Sequence, residues 1–215
     1  MSDSYTVVIN AAGTGSRLGL DIPKSLVSIA GKTLIERQLI SLSDVEHVTV
    51  VVGYKGRELV DAIWQIRRDV LVLINHDYAH TGTAHSLALG AKTAKSRVVS
   101  LDGDLLVDPR DYNKFLNNRE NVLGVTSKKS KLPVLAHVEN GLVKDMDYDI
   151  KSGLEWSGLM SLERDKVMQI GSSHVFEGIK KFLPIKAIDV NCFEIDEPMD
   201  ISGAEIWISN LYKII

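Results

Sequence analysis

Val7–Leu26 reads VVINAAGTGSRLGLDIPKSL, and this stretch decides the fold. Tyr5 to Ile9 is an apolar run rich in β-branched residues, the pattern of a strand covered on both faces. It breaks into Ala11-Ala12-Gly13-Thr14-Gly15-Ser16-Arg17. Small residues let a backbone approach a ligand closely, and glycines permit turns barred to other residues. Successive free N–H groups in such a loop form a concavity that binds anions. Arg17 and Lys24 add two fixed positive charges. The sum suits a ligand carrying several phosphates. The plainer reading is a glycine-rich strand-to-helix turn with a solvated Arg and Lys.

Two common phosphate motifs do not fit. The dinucleotide fingerprint needs a small sixth residue, but Leu18 stands there. A Walker loop ending in Gly31-Lys32-Thr33 would place its first glycine at Leu26. What remains is A-A-G-x-G-S-R-x-G-x(3)-P-K. This block resembles the signature of nucleotidyltransferases that join a nucleoside triphosphate to a phosphorylated small molecule. They include the sugar-1-phosphate nucleotidyltransferases and the cytidylyltransferases for phosphocholine and similar phosphomonoesters. The resemblance implies that Ala11, Ala12, Gly13, Thr14, Gly15 and Ser16 cradle the nucleotide. It makes Arg17 and Lys24 the catalytic cations on its triphosphate.

The rest of the chain sets bounds. At 215 residues it can form one α/β domain with a small insertion and bury a sizeable core. A net charge of −3 provides no strong field toward nucleic acid or an anionic membrane. Cys192 is the only cysteine, so no internal disulfide is possible, and a buried inert thiol is expected. The first residues, MSDSYTVV, lack the layout of a signal peptide, and no apolar run reaches spanning length. A cytoplasmic protein is expected.

Strands are expected at His47–Val52, Val70–Ile74, Arg97–Leu101 and Val122–Thr126. Helices are expected at about Thr33–Leu42, from Gly56 to about Arg68, at Gly82–Ala94 and at Asp108–Asn117. This alternation predicts a three-layer, doubly wound α/β fold with a mostly parallel sheet, the Rossmann-like nucleotidyltransferase fold by resemblance. From Ser127 the pattern changes. Ser127-Lys128-Lys129-Ser130-Lys131 reads as a solvated basic loop. Val134–Val138 and Leu142–Met146 flank Asn140-Gly141 as a hairpin. A helix near Ser172–Phe182, a late strand Ala187–Phe193 and a terminal helix from Pro198 follow. Ala204, Ile208, Leu211 and Ile215 form that helix's packing stripe. One domain, 1–215, is expected, with a small β insertion at about 127–160 that binds the acceptor.

Ligands in open parallel sheets sit beyond the carboxyl ends of strands. Three polar clusters fall there: the first loop, Thr81-Gly82-Thr83-Ala84 and Asp102-Gly103-Asp104. Gly82, Thr83 and Ala84 resemble the family's G-T-A segment beside the nucleobase; a helix start capped by Thr81 is the other reading. Asp102 and Asp104 repel each other unless something cationic compensates, and neither Asp104 nor Asp196 has an obvious cationic neighbour in the sequence. Mg²⁺ is the natural partner, since it takes one or two carboxylates plus substrate phosphates. By resemblance Asp104 is a metal ligand, while Asp102 counts with the nucleotide-binding group. A capping role before Asp108 is the alternative. Phe193-Glu194-Ile195-Asp196 resembles the E-I-D segment of the phosphocholine branch, making Asp196 the second ligand. Glu194 supports it from the acceptor side, and Asp200 reads as a helix cap.

Glu155-Trp156-Ser157-Gly158 matches the place of the second substrate. An acid beside an indole suits sugar hydroxyls, or an amine through charge and cation–π attraction. A half-buried Trp and a surface Glu is the bland reading. The partners implied are an NTP, CTP or UTP, and a small phosphomonoester such as a sugar 1-phosphate or a phosphocholine-like compound. The products would be the diphosphate conjugate and pyrophosphate. Two alternatives stay open: a D-x-D glycosyltransferase and a non-catalytic nucleotide-binding protein.

Overall fold

The computed structural model of the chain describes residues 4–212. Its strands are β1 (Tyr5–Ala11), β2 (Ser28–Ile29), β3 (Lys32–Thr33), β4 (Val48–Val52), β5 (Leu71–Ile74), β6 (Arg97–Asp102) and β7 (Leu105–Val107). They continue as β8 (Val122–Thr126), β9 (Leu135–Glu139), β10 (Leu142–Asp147), β11 (Leu154–Glu163), β12 (Ile185–Asp189) and β13 (Cys192–Glu194). The helices are α1 (Leu34–Ser41), α2 (Gly56–Ile66), α3 (Thr83–Ala91), α4 (Pro109–Leu116), α5 (Arg164–Val167), α6 (Val175–Ile179) and α7 (Pro198–Tyr212).

Nine strands form one sheet in the order β5-β4-β1-β6-β11-β8-β12-β10-β9. The β5-β4-β1-β6 half is parallel, with Ile9 registered against Val50 on one side and Leu101 on the other. β1 is buried on both faces beyond its first residue, as its continuous apolar run requires. Helices cover both faces. Ile35, Leu39, Leu59, Ile63, Tyr112 and Phe115, from α1, α2 and α4, pack with Val7, Ile9, Val50 and Leu101 on one side. Ala84, Leu87, Ala91, Val175 and Ile179, from α3 and α6, pack with Val8, Val51 and Val98 on the other. The expected three layers are present. Thr33 accepts the Glu36 N–H and Asp108 that of Arg110, each capping its helix.

The second half differs from a parallel sheet. β11 runs antiparallel between β6 and β8, a ten-residue central strand for which the sequence reading names no strand of its own. An irregularity between Trp156 and Met160 breaks the period-two pattern that would reveal it, and Ser157 and Ser161 are buried polar positions. The β9–β10 hairpin turns at Asn140-Gly141, both at positive φ, and joins the edge of the same sheet. The expected late strand Ala187–Phe193 is two strands: β12 lies beside β8, and after Val190-Asn191, β13 pairs with β7 outside the main sheet. Ala204 and Ile208 of α7 pack with Leu18, Ile29, Leu34 and Ile195. Ile215 lies outside the described residues. Among those described, no helix is long and apolar enough to cross a membrane.

Candidate active site

The carboxyl ends of β1 and β6 place two loops side by side. Together with Thr83 at the start of α3 and Glu194 on β13, they line a cleft of about 300 Å³. Its walls carry Ala11, Gly13, Gly15, Ser16, Arg17 and Lys24 from the first loop, and Asp102, Gly103 and Asp104 from the second. Ala12 is buried behind the loop, where its carbonyl accepts the Tyr54 N–H. Thr14 is exposed and lies outside the cleft lining. Among the described residues, the N–H groups of Gly13 to Arg17 have no hydrogen-bond partner. They are free to receive an anion.

Lys24 stands on a single helical turn after Pro23, and its side chain is only 13% exposed. Its ammonium lies 2.7 Å from Asp104 and 2.6 Å from Asp196. Arg17, 65% exposed, reaches the same Asp196 oxygen at 3.0 Å. This corrects one expectation: the aspartates do have a cationic neighbour, brought from far along the chain. Burial would pull the Lys24 amine down, but Asp104 and Asp196 outweigh it and hold it above the usual lysine value.

Asp104, Glu194 and Asp196 converge, each offering one oxygen within 4.8 Å of the others. The second Asp104 oxygen is buried without a protein partner. Hard oxygen donors at this spacing, one of them unfilled, fit a divalent cation. Asp196 follows the end of β13, yet it still joins Glu194. Asp200 accepts the N–H groups of Asp196 and Glu197 and so fixes the turn that presents it.

Asp102 lines the cleft but is held from behind. Asn10 donates to it at 3.3 Å, and the Gly158 backbone presses so close that a Cβ there would lie 2.8 Å from its oxygen. Loss of water, then repulsion from Asp104, pushes its carboxyl up to about 7. Glu194 lies on the cleft wall. Partial loss of water and then the crowding of Asp104, Asp196 and Asp102 raise its carboxyl to about 8, although its outer edge stays open to solvent. Cys192, 3% exposed, is the inert buried thiol expected, pushed up to about 11 chiefly by burial.

The remaining residues do not all converge. The Gly82 and Ala84 N–H groups donate to the carbonyls of Ser172 and Ser173, and a Cβ on Gly82 would sit 2.2 Å from the Ser173 carbonyl oxygen. Ala84 is buried core. Only Thr83 of that trio lines the cleft. Thr81 does not cap α3; its hydroxyl bonds the Asp77 carbonyl. Glu155 and Trp156 are neighbours on a strand and point to opposite faces. Trp156 packs against the α3 and α6 side with its indole N–H buried and unpartnered. Glu155 is 6% exposed and filled by donors from the Lys129–Ser130 turn.

Several supporting residues escape a reading of motifs. Asn10 donates to Ser100 as well as Asp102, and the Ser25 hydroxyl donates to the Gly103 carbonyl. The Gln38 amide donates to the carbonyls of Asp102 and Leu105, at 2.8 and 2.9 Å. An available signal was Gln38 itself, an amide on the apolar stripe of α1, which needs partners if buried.

The sequence model of the MobA-like NTP transferase domain matches residues 7–153. The chain belongs to the MobA-like NTP transferase family. The resemblance read from Val7–Leu26 therefore holds, and the chain is homologous to nucleotidyltransferases. Bifunctional protein GlmU from Neisseria meningitidis is 29% identical over 126 residues, covering 57% of this chain and 27% of that protein. The chain thus spans about a quarter of the length of such relatives. The inositol-1-phosphate CTP transferase from T. maritima superposes with a TM-score of 0.81 at 21% identity, covering 98% of this chain and 97% of that one. The CTP:phosphocholine cytidylyltransferase from Streptococcus pneumoniae gives 0.79 at 21%, covering 95% and 99%. At these identities the MobA-like NTP transferase chain shares the fold of both.

Proposed function

We propose that the chain condenses a nucleoside triphosphate, CTP or UTP, with a small phosphomonoester, a sugar 1-phosphate or a phosphocholine-like compound. The products are the diphosphate conjugate and pyrophosphate. The observation that carries the reading is the meeting in one cleft of free loop amides, Arg17, Lys24, Asp104 and Glu194, with Asp196 joining the last two as a cluster of three carboxylates. The structural neighbours described as CTP transferases support a pyrimidine nucleotide.

A phosphate oxygen of the acceptor attacks the α-phosphorus. The new P–O bond forms as the α–β bridge breaks, and pyrophosphate leaves with the electron pair. Both reactants are anions, so the barrier is largely electrostatic. The Gly13–Arg17 amides and Arg17 hold the triphosphate, and Lys24 neutralises charge at the reacting phosphoryl group. Asp104 and Asp196, with Glu194, would hold Mg²⁺, which supplies charge neutralisation and a template for both phosphates. No general base is required, because a phosphate dianion is already a nucleophile near neutral pH. Thr83 borders the base. Trp156 and Glu194 are the acceptor side in this reading; Glu194 lines the cleft, and Trp156 is only partly buried where it packs against the α3 and α6 side.

A panel of NTPs against phosphomonoesters, read by pyrophosphate release, tests this. Release that depends on both substrates supports the reading. Nucleotide binding with no turnover of any pair favours a nucleotide sensor. Glycosyl transfer from a nucleotide sugar favours the D-x-D alternative, against which Asp102 stands turned toward Asn10 and outside the carboxylate cluster.

A further inference from the structure

Glu155 occupies the place where β11 meets both β8 and β9. It pairs with Thr126 on one side and Leu135 on the other, the residues that flank the 127–134 connection. Its buried carboxylate accepts the Lys129 N–H at 2.6 Å, the Ser130 N–H at 3.1 Å and the Ser130 hydroxyl. No basic side chain pairs with it among the described residues. A buried carboxylate needs such donors, because losing water without replacement is costly. Charge and turn therefore hold each other in place.

The turn then reaches across to β13. The Lys129 ammonium donates to the Cys192 carbonyl at 2.8 Å, and Lys131 pairs with Glu197. Cys192 and Glu197 bracket the segment that carries Glu194 and Asp196. That segment has only a three-residue ladder of its own, against β7. The Lys131 pair is exposed and contributes little stability, so its use is geometric.

We infer that Glu155 is a positioning residue: it shapes the 128–131 turn into a brace that, through Lys129 and Lys131, holds the strand presenting Glu194 and Asp196. This rests on the reading of those carboxylates as a divalent-cation site. The basic run expected to be a solvated loop acquires a task, and Glu155 acts through it without touching the acceptor.

The test uses Glu155→Gln, Lys131→Met and the double variant, with Mn²⁺ binding followed by electron paramagnetic resonance. Limited trypsin digestion and a thermal melt accompany each. Glu155→Gln should speed cleavage after Lys128, Lys129 or Lys131 at least about tenfold, since cleavage tracks the opened population. It should weaken Mn²⁺ binding by about tenfold, the low end for groups that orient metal ligands. Lys131→Met should weaken it less, and the double variant should add little to Glu155→Gln, as for residues acting in series. Unchanged Mn²⁺ affinity in Glu155→Gln, or a turn that stays resistant, overturns the inference. If Glu155→Gln does not fold, Lys131→Met decides: weaker Mn²⁺ binding supports the brace, and normal binding overturns it. Asp196→Asn separates the two ideas. Should it leave Mn²⁺ binding intact, the cation-site reading itself fails.

Discussion

The ammonium of Lys24 lies 2.6 Å from a carboxylate oxygen of Asp196, 172 positions further along the chain. Asp104 shares the same amine. A lysine in this position competes with a divalent cation for the carboxylates and with the carboxylates for a phosphate. Lys24→Met should therefore have effects of opposite sign. Mg²⁺ binding to the nucleotide-free protein should tighten, by calorimetry. Turnover should fall at least roughly 10²-fold in kcat/KM, the scale of one lost transition-state charge contact. A variant that binds Mg²⁺ more weakly would show that the lysine supports the cation site.

Arg17 reaches the same cleft from the exposed side. Arg17→Ala should lower kcat/KM by at least roughly 10²-fold with the melt unchanged, because an exposed pair adds little stability. Near-normal turnover would remove it from the triphosphate site.

Asp104→Asn and Asp196→Asn should each cost several kcal/mol of transition-state stabilisation, on the order expected for loss of a metal-held charge. The double variant should lose much less than the sum. Pyrophosphate release against magnesium concentration for the singles and the double checks this, and strictly additive losses would place the two residues in separate sites.

Asp102 and Glu194 sit above the usual carboxylate range, near 7 and 8. A carboxyl raised in the folded state favours folding fully below its unfolded value, near 4, and loses that benefit as pH rises to its folded value. Without divalent cation, the melting temperature should therefore fall between about pH 4 and pH 8. Added Mg²⁺ needs the ionised carboxylates, so it should raise the melt more at pH 8.5 than at pH 6. An equal Mg²⁺ effect at both pH values would contradict this.

Gly82 separates packing from base recognition. Because a Cβ there would meet the Ser173 carbonyl at 2.2 Å, Gly82→Ala should destabilise the nucleotide-free protein by about 1–3 kcal/mol. Denaturant unfolding measures it. Normal stability with a raised nucleotide KM would return the glycine to the base.

The first loop was legible because its features lie close together in the sequence: a buried strand, small residues and two cations. Asp104 and Asp196 were legible as acids at strand ends. Their partner was not, because the Lys24 contacts join positions 80 and 172 apart, and no local pattern encodes such a meeting. The doubly wound half of the sheet follows from helix and strand periodicity, whereas β11 hides its period behind an irregularity and buried serines. Glu155 read as an open acid because two of its three donors are backbone N–H groups of a turn, which carry no side-chain signal, and the third, the Ser130 hydroxyl, is 25 positions away in the chain.

The most direct test of the central claim follows the bonds. The active pair from the substrate panel is run with ¹⁸O in the acceptor's phosphate and read by ³¹P NMR. Attack by the acceptor oxygen on the α-phosphorus predicts two coupled phosphorus resonances of a diphosphate, with ¹⁸O in the bridge and unlabelled pyrophosphate released. Label in the pyrophosphate, or a nucleoside monophosphate with no labelled bridge, would contradict the account.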